Sequence, residues 1–327
     1  MKAIVYHEYG SPNVLGLEEV GKPAPGDGEV LLRVRAASVN PLDWHYLRGT
    51  PYLMRLGTGL RRPRIPRLGV DVAGRIEAVG KNVTQSKPGD EVFGACRGAF
   101  AEYACTPESS VINKPENVTF EQAAAVPVAA ITALQGLRDR GRLRPGQRVL
   151  INGAAGGVGT FAVQIAKALG AEVTGVCSTR NVELVRSLGA DRALDYTRED
   201  FTAAGDRYHL ILDCIGNHSL RACRRALEPG GTCVIIGAPG GRWVAPLPRV
   251  LRAIVLSRFV SQNFAMHLTR RSREDLTTVR DLIVAGKVTP VVDRTYRLSA
   301  VPEAIRYLEA GHARGKVVIT EESNHPG

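Results

Sequence analysis

The chain is 327 residues long, 44% hydrophobic, 23% charged and 6% aromatic, with a formal net charge of +11. Its length predicts two domains, and its ordinary apolar content excludes a disordered or fibrous chain. No run approaches the roughly 18 apolar residues of a membrane-spanning helix.

The opening, "MKAIVYHEYG", goes straight into an alternating, strand-like pattern. It has neither an apolar signal core nor an Arg/Ser-rich transit segment, so a cytoplasmic protein is expected. The runs "EVLLRVRAASV", "GVDVAGRIEAVG", "GDEVFGAC" and "AFAEYACTP" alternate and are broken by turn residues. They predict a compact antiparallel domain over 1–122. Between the first two runs, "SVNPLDWHYLRG" (Ser38 to Gly49) reads as an active-site loop.

From about Ala123 the rhythm changes. "RVLINGA" is a short apolar strand, and in "VGTFAVQIAKALG" Val158, Phe161, Ala162, Ile165, Ala166 and Leu169 recur at helical spacing before Gly170. "AEVTGVC", "RALDY", "YHLILDCIG" and "GTCVIIGA" read as strands, with "NVELVRSLGA" and "SLRACRRAL" as helices between them. Strand alternating with helix predicts an α/β, doubly wound parallel sheet over 123–287. The tail, 288–327, returns to short strands around the helix "VPEAIRYLEAG" and is expected to complete the first domain.

The charge is mostly arginine, and the densest run, "RLGTGLRRPRIPR" from Arg55 to Arg67, holds five. Such a run suits RNA, an acidic membrane surface or a phosphate-bearing substrate such as a CoA thioester, or is a solvated loop. No aromatic residue interleaves with these arginines, so a nucleic-acid partner is not expected. The six cysteines form no CxxC pair and read as reduced thiols rather than a disulfide frame or a zinc lobe.

After "RVLING" the stretch "GAAGGVG" opens directly into a helix, so a tight turn brings backbone N–H groups and the positive end of the helix toward one point. A dinucleotide pyrophosphate needs that arrangement. Ala154, Gly156 and Gly159 fall on the G/A-x-G-x-x-G spacing, with Gly157 as a further small residue and Val158 starting the helix. The next strand ends in "GVCSTRN", with no Asp or Glu for a ribose 2′-hydroxyl. Ser178, Thr179 and Arg180 offer two hydroxyls and a guanidinium, and Tyr196 closes the next strand, a set that suits a 2′-phosphate. NADPH is therefore expected over NADH.

Across nearly the whole chain the sequence resembles the zinc-independent quinone oxidoreductase branch of the medium-chain dehydrogenase/reductase superfamily. The resemblance is carried by "ASVNPLDWHYLRG", "GVDVAGRIEAVG", "GDEVFG", "VAAITALQGL", "GQRVLINGAAGGVGTFAVQIAKALGAEVTGVCSTRN", "SLGAD", "DCIG" and "GHARGKVVIT". It implies a GroES-like β-rich catalytic domain, a Rossmann domain, a cleft between them and a homodimer. Zinc-dependent members place a cysteine ligand at the Asn40 position and a His-Glu pair where this chain has Val70 and Asp71. An amide and an aliphatic side chain do not make an ordinary zinc site, so a metal-free pocket is expected.

Without a Lewis acid, the acceptors within reach of a nicotinamide hydride are quinones and α,β-unsaturated carbonyls. Asn40 is the first candidate for a polar contact, with Tyr46 and Tyr52 as candidate proton donors or pocket walls. Asp43 is a candidate to order the loop or contact a ribose. The resemblance places Thr132 near the nicotinamide and Lys316 at the cleft, and makes His45 a possible relay. Gly216 and Gly237 each end a sheet strand, where cofactors lie in open α/β folds, and Phe264 is a candidate to cover the nicotinamide. An enoyl-thioester reductase and a weakly catalytic NADPH-sensing or RNA-binding relative remain alternatives.

Overall fold

The computed structural model describes residues 1–237 and 260–321. In chain order its strands are β1 (Lys2–Val5), β2 (Gly16–Glu19), β3 (Glu29–Val39), β4 (Asp71–Val79), β5 (Glu91–Ala95), β6 (Tyr103–Pro107), β7 (Val111–Asn113), β8 (Arg148–Asn152), β9 (Glu172–Cys177), β10 (Arg192–Asp195), β11 (Tyr208–Asp213), β12 (Leu227–Ile235), β13 (Asn263–Met266), β14 (Val292–Arg297) and β15 (Lys316–Thr320). They fall into two compact units. One holds Met1–Val128, Arg271–Arg280 and the described residues from Pro290 on; the other holds Ala129–Arg270 and Asp281–Thr289.

The first unit is GroES-like. Its main sheet runs β14-β15-β3-β4-β5-β7, with β6 also on β3, and every pairing is antiparallel except β14 with β15. Along β3, Arg33 and Arg35 face out and Val34 faces in, as half-buried strands require. From Ala36 to Val39 both faces are buried, so the strand carries Ser38 and Asn40 into the interior. The tail helix Val301–Glu309 buries Val301, Ala304 and Ile305, a three-and-four spacing that lays one stripe on the core of Leu32, Val34, Val317 and Ile319.

"NPLDWHYLR" is helical over Pro41–Arg48 rather than a loop. Proline occupies the first turn, where no N–H is needed. Asp43 reaches back with Oδ2 to accept the Asn40 N–H at 2.8 Å. Gly49 ends the helix in the left-handed region at φ 57°.

The second unit is a Rossmann domain. Its six strands are all parallel in the order β10-β9-β8-β11-β12-β13, so strand order reverses between β8 and β11. That reversal is where open α/β sheets bind their ligands. The helix Gly157–Ala168 follows β8 and is buried from Gly159 to Ala166, which explains its nearly all-apolar sequence. Shorter helices cover Val182–Ser187 and Leu220–Arg225, the latter capped by Ser219 Oγ accepting from the Ala222 N–H at 3.2 Å. Among the described residues, no helix is long and apolar enough to cross a membrane.

Candidate active site

In the first unit, β3, β4 and β15 bring three polar side chains into the interior. Lys316, Asp71 and Asn40 are 3%, 0% and 2% exposed. Lys316 Nζ donates to Asn40 Oδ1 at 2.5 Å and to the Val39 carbonyl at 3.3 Å, and lies 3.4 Å from Asp71 Oδ2. Asn40 Nδ2 donates to the same Asp71 oxygen at 2.9 Å and to the Ser38 carbonyl at 3.4 Å. Ser38 Oγ donates to Asp71 Oδ2 at 2.9 Å, and the Val128 N–H to Asp71 Oδ1 at 3.0 Å. A buried charge pair is tolerated when its lone pairs and protons are used in this way. Burial pulls Lys316 below the usual lysine range, while the charges of Asp71 and Asp43 pull back.

Asp43 joins this cluster through the helix start. Its Oδ1 accepts the Gly69 N–H at 3.0 Å, so both oxygens hold backbone. Burial is the main cause that raises its carboxyl from 3.8 to about 7, and the charge of Asp71 adds to it. The sign follows from linkage. A carboxyl raised in the folded state contributes stability that is fully present below pH 3.8 and is lost as pH rises through about 7. The melting temperature of the wild type, relative to Asp43→Asn, is therefore expected to fall between pH 4 and pH 7. A gap that stays constant over that window would contradict the shift.

Beside the cluster opens a cavity of about 490 Å³ whose wall includes Asp43, Tyr46, Val70, Arg64, Arg67, Arg97 and Arg271. Tyr46 is half-buried on this wall, while Tyr52 stands outside it with the Arg55 guanidinium 4.6 Å from its ring. Arg55 also lies 4.4 Å over the Tyr9 ring, so it ties two aromatic groups rather than facing the cavity. His45 Nδ1 lies 2.9 Å from the Thr50 carbonyl, its ring stacks on Trp44 at 3.8 Å, and burial lowers its pKa. Among the described residues, no group of three or more His, Cys, Asp or Glu side chains is gathered to hold a metal ion.

In the second unit the turn after β8 is tied to the end of β9: the N–H groups of Gly153 and Ala154 both donate to the Val176 carbonyl, at 3.1 and 2.9 Å. Gly153 takes φ 88°, and Ala154 is fully buried. The first intrahelical bond runs from Thr160 N–H to the Gly156 carbonyl at 2.9 Å. The N–H groups of Gly157, Val158 and Gly159 precede it and form the open end of the helix. A Cβ on Gly156 would meet only the Gly153 carbonyl oxygen, at 3.4 Å, so this side of the turn is open to an approaching group. A Cβ on Gly159 would lie 2.1 Å from that same oxygen, so Gly159 is there for close packing of the helix on the turn that precedes it. These residues fit a dinucleotide pyrophosphate, which Gly156 to Gly159 would hold.

Just beyond the ends of the neighbouring strands β9 and β10, Ser178 is half-buried, and Thr179, Arg180 and Tyr196 are exposed. Asp195 ends β10 beside them. It accepts from Thr179 Oγ1 at 2.6 Å, and Thr197 gives it an N–H at 3.0 Å and a hydroxyl at 2.8 Å. The hydroxyl of Thr179 first, and the Thr197 donors after it, hold its carboxyl below the usual carboxylate range. Elsewhere in this unit, Thr132 Oγ1 lies 2.6 Å from Thr269 Oγ1. Phe264 lies in the core cluster with Ile235 and Leu150. Gly216 has φ 79° and gives its N–H to Asp213 Oδ1 at 2.8 Å. Gly237 passes so close to Cys214 that a Cβ would lie 2.1 Å from the Cys214 carbonyl oxygen.

Sequence reading alone missed several of these. Asn152 and Asp213, at the ends of β8 and β11, are 3% and 1% exposed and joined by an Asn152 Nδ2 bond to Asp213 Oδ1 at 2.8 Å. They sit at the strand-order reversal, and a polar residue closing an apolar strand was the available signal. Asp71, Asp195, Arg97 and Arg271 carried no comparable local signal.

Residues 26–116 match the family model for an alcohol dehydrogenase GroES-like domain, and residues 188–319 that for a zinc-binding dehydrogenase. The chain is 36% identical to the 2-methylene-furan-3-one reductase of Solanum lycopersicum, over 98% of this chain and 79% of that one. It is also 36% identical, with the same shares, to the chloroplastic NADPH-dependent alkenal/one oxidoreductase of Arabidopsis thaliana. The solved quinone oxidoreductase of Coxiella burnetii superposes with a TM-score of 0.86 at 30% identity, covering 98% of this chain and 99% of that one. With the GroES-like sheet, the Rossmann sheet and the glycine turn in place, the chain belongs to the quinone oxidoreductase-like medium-chain dehydrogenases/reductases and is an oxidoreductase.

Proposed function

We propose that the protein is an NADPH-dependent, metal-free reductase of quinones and of carbon–carbon double bonds activated by a carbonyl. The observation that carries this reading is the turn from Gly153 to Gly159, open at Gly156 and closed by packing at Gly159. The names of its relatives, a furanone reductase, an alkenal/one oxidoreductase and a quinone oxidoreductase, support the acceptor class. The metal-free part rests on Lys316, whose ammonium is itself the cation held by Asn40 and Asp71.

With its pyrophosphate held by Gly156 to Gly159, the nicotinamide cofactor would supply a hydride for the electron-poor carbon of the acceptor. The acceptor's electrons shift to its carbonyl oxygen, a donor must meet the charge there, and a proton completes the reduction. Tyr46, with its ring on the cavity wall, is the side chain we assign to that oxygen. Asn40 has its amide committed to Lys316 and Asp71, so we assign it a positioning part, holding the helix that presents Tyr46. Steady-state loss of NADPH absorbance with a naphthoquinone and with a simple enone tests this. Turnover of either supports the reading, and tight NADPH binding without turnover of any acceptor would overturn it.

The NADPH preference rests on Ser178, Arg180 and Tyr196 beyond the ends of β9 and β10, the Thr179 hydroxyl being given to Asp195. Arg180→Ala removes one charge-assisted contact, a loss of about 1.5–3 kcal/mol. NADPH affinity is expected to fall about tenfold or more, with NADH changed less than about twofold. Isothermal titration with both nucleotides checks this; an equal loss for both would place the 2′-phosphate elsewhere.

A further inference from the structure

We propose that the acceptor this enzyme reduces carries an anionic group, carboxylate or phosphate, bound by the guanidiniums of Arg64, Arg67, Arg97 and Arg271. This deepens the reductase reading and rests on it for the reaction, though not for the binding.

Three segments far apart in sequence, one carrying Arg64 and Arg67, one Arg97 and one Arg271, deliver these side chains to one cavity of about 490 Å³. That is the size range of small-molecule sites. Arg67 is the most buried of the four, and its backbone pairs with Val5 in an isolated bridge. Gly98 takes φ 80°, and a Cβ there would lie 3.1 Å from the Arg67 Cβ, so bare backbone lets the Arg67 stem pack down. Arg67 and Arg271 converge closely enough that both act electrostatically on the buried Cys96 thiol.

None of the four arginines enters an ion pair with a described carboxylate. Residues 238–259 contain no Asp or Glu at all. The single acid on the wall, Asp43, is committed to the Asn40 and Gly69 N–H groups. Like charges gathered without counter-charges raise the local concentration of anions and bind carboxylate or phosphate by charge-assisted, bidentate bonds. Tyr46 lies on the same wall as the arginines, so an anion held on them keeps the rest of its molecule beside Tyr46.

Two acceptors of one skeleton test this: 4-oxopent-2-enoate and its methyl ester. The ester keeps the activated double bond and loses the charge. In each, a hydride and a proton add across the carbon–carbon double bond while one nicotinamide is oxidised. Wild-type kcat/KM is expected to favour the acid by about tenfold or more. In Arg67→Gln/Arg97→Gln/Arg271→Gln that ratio is expected to fall toward one, while Arg61→Gln/Arg62→Gln, outside the cavity wall, keeps it. A wild-type ratio of one or below overturns the inference. Crotonyl-CoA run in the same series distinguishes the sources: an arginine-dependent KM with it as well as with the acid shows that phosphate is taken at the same site, and dependence with the acid alone identifies carboxylate. Equilibrium binding of 4-oxopentanoate against its methyl ester needs no turnover. Tighter binding of the acid, lost in the triple variant, sustains the inference even if no acceptor is reduced; equal binding of both overturns it.

Discussion

Lys316→Met is expected to cost about 3–5 kcal/mol, the range for breaking a buried ion pair from one side. The variant keeps the stem and removes the ammonium. Asp71, fully buried, then retains its hydrogen-bond donors from Ser38, Asn40 and Val128 but loses its only cation within 4 Å among the described residues. Asn40 Oδ1, buried, loses its charged donor at 2.5 Å. Adding Asp71→Asn removes the uncompensated charge, and the double variant is expected to recover most of the lost stability. Denaturant melts of the four proteins in this cycle measure the coupling. A Lys316→Met loss below about 1 kcal/mol, the level of an exposed pair, would show that the cluster is not held as described.

The glycine turn gives the second large effect, and two neighbouring positions separate its two duties. Gly159→Val places a Cβ 2.1 Å from the Gly153 carbonyl oxygen and 2.7 Å from the Ala154 Cα. Backbone lies on that side and has no rotamer to escape into, so a loss of about 3 kcal/mol is expected, at the upper end for overpacking. Gly156→Val meets only one atom, at 3.4 Å. It is expected to leave the melting temperature nearly unchanged while weakening NADPH by about 100-fold or more, about 3 kcal/mol, because its side chain occupies the pyrophosphate approach. Thermal melts and nucleotide titrations of both variants check this. Unchanged NADPH affinity in Gly156→Val would remove the site from this turn.

The second unit was the more legible half, and the reason is local. β8 and β9 are short apolar runs with Gly or Ser directly after them, β11 reaches Gly216 within three residues, and "VGTFAVQIAKALG" repeats at helical spacing, so each element announces itself within a dozen residues. Asp195 was missed because a ribose acid is sought at the end of β9, whereas Asp195 is the last residue of β10, which the fold lays beside β9. In the first unit the helix Pro41–Arg48 read as a loop because Trp44, His45 and Tyr46 show no apolar stripe. Its true signal was the start, Pro41 in the first turn and Asp43 at the third position.

What no local pattern recorded was long-range convergence. Asn40, Asp71 and Lys316 meet because β15 pairs with β3 and β3 with β4, across 245 residues between Asp71 and Lys316. The arginine run drew attention as one block, yet the fold divides it. Arg55 stacks on Tyr9 and Tyr52, while Arg64 and Arg67 face a cavity shared with Arg97 and Arg271. Charge counting found the residues and could not find their partners.

The most direct test of metal-free nicotinamide reduction is one assay on one preparation. NADPH consumption with a naphthoquinone or an enone is measured before and after exhaustive treatment with a chelator, with the metal content determined alongside. Turnover that survives with no stoichiometric metal is the expected result, with Lys316 as the resident cation beside Asn40. Activity lost on chelation and restored by zinc would contradict it.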